Sequence, residues 1–280
     1  MASRKRWRSG LVGGLAAIFV ALGLYGFWYE PASLHVVAHD IRLDAAARLS
    51  GTPLRIAVIA DLHGGSPYIG EAKIEEVVAL ANGAKPDLIL LTGDYVTKGI
   101  VGGSPLAIET IAGKLRGLSA PLGTYAVLGN HDRAEDAPRI AAALEEAGIH
   151  VLDDRAASLD HGGPVMLAGI SDLRSGPHDI AAALVTVPAG QRALCFTHSP
   201  DIFPRLPATC ALTIAGHTHG GQVRLPLLGS PIVPSSYGQR YAAGLIREGD
   251  KVLFVSTGIG TSIIPVRIGV PPEISILDIR

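Results

Sequence analysis

Two cysteines in 280 residues exclude a disulfide scaffold and a cysteine-based zinc site. Cys195 and Cys210 read as buried thiols beside or within strands, with a bridge between them as the alternative. Aromatic residues make up 5% of the chain, and both tryptophans, Trp7 and Trp28, flank one N-terminal stretch. No internal repeat, low-complexity segment or Pro/Gly-rich linker divides the remainder, so one domain is expected. Runs of basic residues are absent beyond the first ten positions. Arg4, Lys5, Arg6 and Arg8 carry +4 there, leaving 20 basic against 25 acidic residues in the body. A mildly acidic body is a poor match for nucleic acid, which calls for basic faces.

Residues 11–29 are present in force as an uncharged apolar run, LVGGLAAIFVALGLYGFWY. As a helix it spans about 28 Å, close to the hydrocarbon thickness of a bilayer. Tyr25, Phe27, Trp28 and Tyr29 suit an interfacial belt at its far end. A cleaved signal peptide would need a shorter core and a small-x-small site before Pro31, and none is evident. The expected organisation is a basic cytoplasmic tail (1–10), a transmembrane anchor (11–29), a lead-in (30–53) and a catalytic domain (54–280). With its basic flank before the span, the body is expected on the exported side.

From residue 54 buried strands alternate with helices. Strands are expected at 34–43, 54–60, 87–91, 124–128, 165–170, 193–197, 212–215, 251–256 and 274–279, and helices at 70–81, 105–118 and 138–147. This is an α/β pattern whose second half is richer in strand.

Polar residues with metal-binding side chains recur after these strands, where ligands bind in α/β sheets. They are Asp61-Leu62-His63, Gly93-Asp94, Gly129-Asn130-His131-Asp132, His198 and Gly216-His217-Thr218-His219. Taken singly, each passes for a turn or a filler histidine. In His217-Thr218-His219 an extended backbone would aim both rings one way. Five such strand ends in one chain are hard to explain as five turns.

In this order the motifs resemble the calcineurin-like metallophosphoesterase superfamily, from residue 54 to 221. The DLHGG start, His198–Asp201 and Ala215–Pro226, with the anchor, look like its YkuE/YaeI-type membrane-associated branch. That resemblance implies a layered α-β-β-α sandwich, two packed mixed sheets flanked by helices. It implies hydrolysis of a phosphodiester, phosphomonoester or pyrophosphate by metal-activated hydroxide on a phosphate-containing small molecule, phospholipid or glycolipid. By the same resemblance Asp61, His63 and His219 hold one divalent cation, and Asn130, His198 and His217 a second. Asp94 bridges them, His131 contacts the scissile phosphate or protonates the leaving group, and Asp132 orients His131. Mixed nitrogen and oxygen donors suit Mn, Fe or Zn. The branch is bacterial, so a single-pass inner-membrane protein with a periplasmic body is expected.

A related branch cleaves UDP-2,3-diacylglucosamine, a lipid A intermediate made on the cytoplasmic face, which conflicts with export of this body. A membrane-tethered metal-binding scaffold without catalysis is the alternative of another class, though no ligand is missing. Arg224, in the Pro/Gly-rich segment after His219, is expected with Tyr237–Tyr241 on the substrate rim.

Overall fold

The computed structural model describes residues 2–44, 49, 51–97 and 99–280, with side chains from Val12 onward. The side chains of the basic tail therefore lie outside the described residues. Helix α1 (Ala2–Leu24) continues through a wider π-turn (Tyr25–Tyr29) into a last turn at Glu30–Ala32. By length and composition Val12–Ala32 can cross a membrane, and almost none of it is buried. Val12, Ile18, Phe19, Val20 and Leu24 all project away from the rest of the protein.

Twelve strands form two six-stranded mixed sheets among the described residues. The first, in the order β1-β12-β2-β3-β4-β5, comprises β1 (His35–Ile41), β12 (Glu273–Ile279), β2 (Leu54–Ile59), β3 (Leu88–Leu91), β4 (Thr124–Ala126) and β5 (His150–Val151). Strand β1 lies before residue 54, yet it pairs in parallel with β12 and is part of this sheet. The second runs β10 (Gly244–Glu248), β11 (Lys251–Val255), β9 (Cys210–Ala215), β8 (Ala193–Thr197), β7 (Pro164–Ile170), β6 (Arg155–Asp160). β2, β3 and β4 are mutually parallel, as are β11, β9, β8 and β7, so their carboxyl ends gather at common edges.

The period-two pleat explains why the inner strands β2, β3, β8 and β9 are apolar almost throughout. Ile56, Val58, Leu88 and Leu90 face the second sheet and meet Leu167, Leu194, Phe196, Ile214 and Phe254. Their neighbours Ala57, Ile59, Ile89 and Leu91 face the other way, against helices α2 (Glu71–Gly83), α3 (Ile108–Leu115) and α4 (Asn130–Glu146). In α2 the residues Ile74, Val77 and Ala81 recur at helical spacing on that buried face. The outer face of the second sheet is covered more thinly, by α5 (Ile180–Leu184) and a 3-10 turn at Pro200–Arg205 carrying Ile202 and Phe203. The layering is thus the expected α-β-β-α sandwich.

Two local departures follow from chain chemistry. The helix expected from Pro138 begins earlier, at Asn130, and breaks at Asp136, whose backbone is extended (φ −169°, ψ 83°). Asp136 then accepts a hydrogen bond from the Arg139 backbone N–H and caps the second half. The thiol reading of the cysteines is overturned, because Cys195 and Cys210 form a disulfide. They stand on neighbouring parallel strands, on the same face, with Cα atoms 5.5 Å apart, a separation a bridge spans without backbone movement. Closing a loop of this size stabilises by about 3 kcal/mol. Replacing both cysteines by alanine is therefore expected to lower unfolding free energy by about 3 kcal/mol in denaturant titrations. No change in the midpoint would contradict it.

Candidate metal centre

The loops that follow β2, β3, β4, β8 and β9 converge at one sheet edge and bring the motif residues together. Chain reversal there is sharp. Asp61, Asp94, His63, His217 and His219 all have left-handed backbones, with φ between 47° and 71°. Such conformations are uncommon outside glycine and persist where the surroundings enforce them, typically at functional sites. Small residues make the close approach possible. A Cβ on Gly216 would lie 2.5 Å from the Asp61 carboxylate, and one on Gly129 would overlap that of Asp94.

Three groups of ligand atoms lie within 4.8 Å of one another: Asp61 with His63 and His219, Asp94 with His198 and His217, and His63 with Asp94 and His131. In the first, the Nε2 atoms of His63 and His219 stand 3.2 Å apart, and Asp61 Oδ1 is 3.7 Å from His219 Nε2. In the second, His198 Nε2 is 3.0 Å from both His217 Nδ1 and Asn130 Oδ1. Asp94 lies between them, with Oδ2 3.3 Å from His198 Nε2 and 3.7 Å from His63 Nε2. All of these except Asn130 and His131, which are half-buried, are buried.

The two histidines of His217-Thr218-His219 reach different groups. The segment is a tight turn between two left-handed residues, so the shared direction expected of an extended strand is replaced by a division of the rings.

This donor set fits divalent cations. His198 Nδ1 is 2.8 Å from the Thr92 carbonyl, the arrangement that holds Nδ1–H and aims Nε2 inward. Burial lowers His63 to about 3 and His217 to about 4, so both are neutral imidazoles carrying a lone pair. Burial pulls His198 down as well, but the Asp94 carboxylate beside it, with Asp61 and Asp172, outweighs that and raises it to about 10. Burial raises Asp61 to about 7, reinforced by Asp94. For Asp94 burial acts upward too, yet His198, His63 and His131 overcome it and hold the carboxyl well below its usual range. Without a cation, a proton on His198 is the positive charge these carboxylates demand.

A cation entering must displace that proton and any on Asp61. Asp61 holds its proton below about 7 and His198 below about 10, so affinity rises with pH up to about 10. Binding at neutral pH is expected to release about one to two protons per chain. Calorimetry in buffers of different ionisation enthalpy reads this directly, and buffer-independent heats would contradict it.

Asp132 does not orient His131. Its carboxylate is fully buried and accepts four hydrogen bonds, from the backbone N–H groups of Asp94, Tyr95, Val96 and Gly129. It sits in the first turn of α4, opposite Gly129, and clamps the Asp94 loop to that helix. The His131 ring instead meets the His63 ring edge-on at 5.0 Å, while its backbone N–H donates to Asp94 Oδ1.

A cavity of about 430 Å³ opens over the centre, lined by Asp94, Asn130, His131, Arg174, His217 and His219 among others. Arg224 is not among its walls. Its side chain is exposed and lines a separate cavity of about 250 Å³ with Ser230 and Glu273, because its backbone is drawn aside by a hydrogen bond to Ile268. Of the expected rim, Tyr241 is buried against Phe203, with its hydroxyl on Glu248.

The arginine that does reach the site is Arg174, which sequence reasoning missed. Its Nη1 lies 3.3 Å from His217 Nε2 and donates to the Pro234 carbonyl. The signal was present, since Asp172 and Arg174 follow β7 as the other motifs follow their strands.

The family model for calcineurin-like phosphoesterases matches residues 54–221. The chain is 29% identical to the uncharacterized metallophosphoesterase YkuE of Bacillus subtilis, over 99% of this chain and 98% of that one. It is 32% identical to the phosphodiesterase YaeI of Escherichia coli, over the whole of both. A protein of Danio rerio named as a transmembrane protein with a metallophosphoesterase domain is 27% identical, over 93% of this chain and 61% of its own length. With clustered metal-binding side chains at one sheet edge and a match across most of the domain, the chain belongs to the calcineurin-like phosphoesterase family and is a metal-dependent phosphoester hydrolase.

Proposed function

We propose that the protein is a membrane-anchored phosphoesterase working with two divalent cations, of which Mn, Fe and Zn suit the donors. The observation that carries this is the position of Asp94, within 3.7 Å of histidines from both ligand groups. Asp61, His63 and His219 would hold one cation and Asn130, His198 and His217 the other, with Asp94 placed between the two groups. Bound there, a cation pair supplies Lewis acidity and lowers the pKa of water for attack on phosphorus.

The chain's own residues do the rest. Asp94 offsets the cations' repulsion, and its Oδ1 fixes the His131 backbone. His131, half-buried at the cavity wall, stands where it can give a proton to the departing oxygen. Arg174 presents its guanidinium to the same cavity, as a partner for non-bridging phosphate oxygens. Asp132 positions the loop that carries Asp94.

Several features support an exported, anchored enzyme. The apolar surface of α1 is exposed, the basic cluster precedes it, and the Cys195–Cys210 disulfide suits an oxidising compartment. This favours a general phosphoesterase outside the membrane over an enzyme acting on a cytoplasmic lipid A intermediate. The complete ligand set disfavours a scaffold.

The test is turnover of bis-p-nitrophenyl phosphate and of its monoester by the purified full chain, with Mn and with chelator. Metal-dependent hydrolysis is expected. Metal binding without turnover of either ester, under any of the three metals, would select the scaffold.

A further inference from the structure

The anchor is not joined to the domain by a free linker. Glu30, at the foot of the helix, is 2% exposed, and its carboxylate accepts hydrogen bonds from the Gly269 and Val270 backbone N–H groups. The Arg267 N–H donates to the Gly26 carbonyl, and the Tyr68 hydroxyl to that of Phe27. Gly26 packs so closely on Ile268 that a Cβ would lie 2.7 Å from its side chain. The foot is thus fixed against segment 267–270, and Trp28 and Tyr29 beside it are exposed aromatic residues of the kind that mark a bilayer interface.

From this foot a short hydrogen-bond path leads to the cavity mouth. The Ile268 N–H donates to Gln222 and the Arg224 N–H to Ile268, which sets the start of the Leu225–Gly229 turn. The Gln222 side chain donates to the Ile264 carbonyl and accepts from the Ser262 N–H. Gln222, Ile232, Ser262 and Ile263 line the cavity over the metal centre. Along this path apolar side chains stand in the open. Leu227 is fully exposed, Ile232, Ile263 and Leu228 are 71–78% exposed, and Ile264 is nearly half exposed. Exposed apolar residues gathered beside a polar mouth mark an interaction surface. What covers this one follows from continuity, because segment 267–270 joins the rim to the foot of a helix long and apolar enough to cross a membrane.

We infer that the rim of Leu227, Leu228, Ile232, Ile263 and Ile264 rests on the bilayer that holds α1, so that the cavity takes its phosphate ester from a membrane lipid. The surface contact rests on the anchor reading, and the lipid substrate also rests on the two-metal phosphoesterase reading. The ester enters between Ile232 and Ile263 with its acyl chains left in the bilayer and its phosphate directed to Arg174 and the metal ligands.

The experiment uses the full chain in vesicles of phosphatidylethanolamine and phosphatidylglycerol. An environment-sensitive probe is attached at Leu228→Cys or, as a control on the outer face of the second sheet, at the exposed Val185→Cys. Nitroxide-bearing lipids are expected to quench the probe at 228 several-fold more than that at 185. Equal quenching overturns the surface contact, and an accompanying dimer dissociated by Leu227→Glu with Leu228→Glu would assign the rim to a second copy of the chain.

In the same vesicles, hydrolysis of a diacylglycerol phosphodiester of methylumbelliferone is compared with that of soluble bis-p-nitrophenyl phosphate. The Leu227→Glu, Leu228→Glu pair is expected to lower turnover of the lipid ester at least about tenfold and to leave that of the soluble ester within about twofold. Soluble turnover with none of the lipid ester, or equal losses on both, overturns the lipid substrate. Failure of the phosphoesterase reading looks different, as absence of turnover on both esters by the unsubstituted chain with quenching at 228 unaffected.

Discussion

Asp94→Asn is expected to lower kcat/KM by about a thousandfold or more, about 4 kcal/mol of barrier. The substitution preserves shape and one oxygen acceptor, so the hydrogen bond from the His131 N–H survives and the loop keeps its course. What disappears is a buried negative charge standing 3.3 Å from His198 and 3.7 Å from His63. Two cations held a few ångströms apart repel strongly in a low-dielectric pocket, and a carboxylate between them is what makes joint occupancy favourable. Metal analysis of the purified variant is therefore expected to show a fall from two ions per chain to one or fewer. His198 should change in parallel. The carboxylate that draws a proton onto it is gone, so its titration should shift down toward that of an ordinary imidazole in the metal-free chain. A variant that keeps two ions and activity within threefold of the parent would overturn the bridging role proposed for Asp94.

How much of this was legible follows from how each feature is encoded. The strands were readable because both faces of each sheet are covered, making β2, β3, β8 and β9 almost wholly apolar, Arg55 being the one exposed charge in them. The short edge strands β5, β6 and β10 were not, because their exposed faces interrupt the run with polar residues. The clustering of the candidate ligands was legible because each motif directly follows a strand, so local sequence carries its position. What a residue touches was less legible. Asp132 adjoins His131 in sequence, but its place in the first turn of α4 turns its carboxylate to the N–H groups of the β3 loop. The same helix start gives Asn130 and His131 a fixed geometry that a loop would not.

Arg224 and Arg174 show the same limit in the other direction. Arg224 follows the ligand histidines by five residues, yet the turn at His219–Gly221 and the pairing with Ile268 carry it to another cavity. Arg174 is far from every metal motif in sequence and arrives through the parallel order β7-β8-β9, which sets the end of β7 beside His198 and His217. Its place after β7 was the local trace, but which site it joins is set by strand order alone. The Cys195–Cys210 bridge belongs with it, since only strand pairing makes the two sulfurs neighbours.

His131→Gln is expected to separate proton transfer from metal binding. The ring stands close enough to His63 and Asp94 to act as a ligand, and geometry alone permits that role. Three observations favour the proton donor. His131 is half-buried at the cavity wall, whereas the other histidines of the centre are buried. Its ring meets His63 edge-on, unlike the near-parallel approach of His63 and His219 whose Nε2 atoms converge. And the ligand groups around Asp61 and around Asp94 are already supplied without it. A general acid contributes about 10²- to 10⁴-fold, and its worth depends on how badly the leaving group needs a proton. Loss of kcat in that range is therefore expected on an alkyl phosphate ester, whose departing alkoxide is strongly basic. On a p-nitrophenyl ester, which releases a stabilised phenolate, the loss should shrink to about tenfold or less. Metal content should stay at that of the parent throughout. Loss of a metal ion, with equal rate losses on both esters, would make His131 a ligand and leave the proton to another group at the cavity wall.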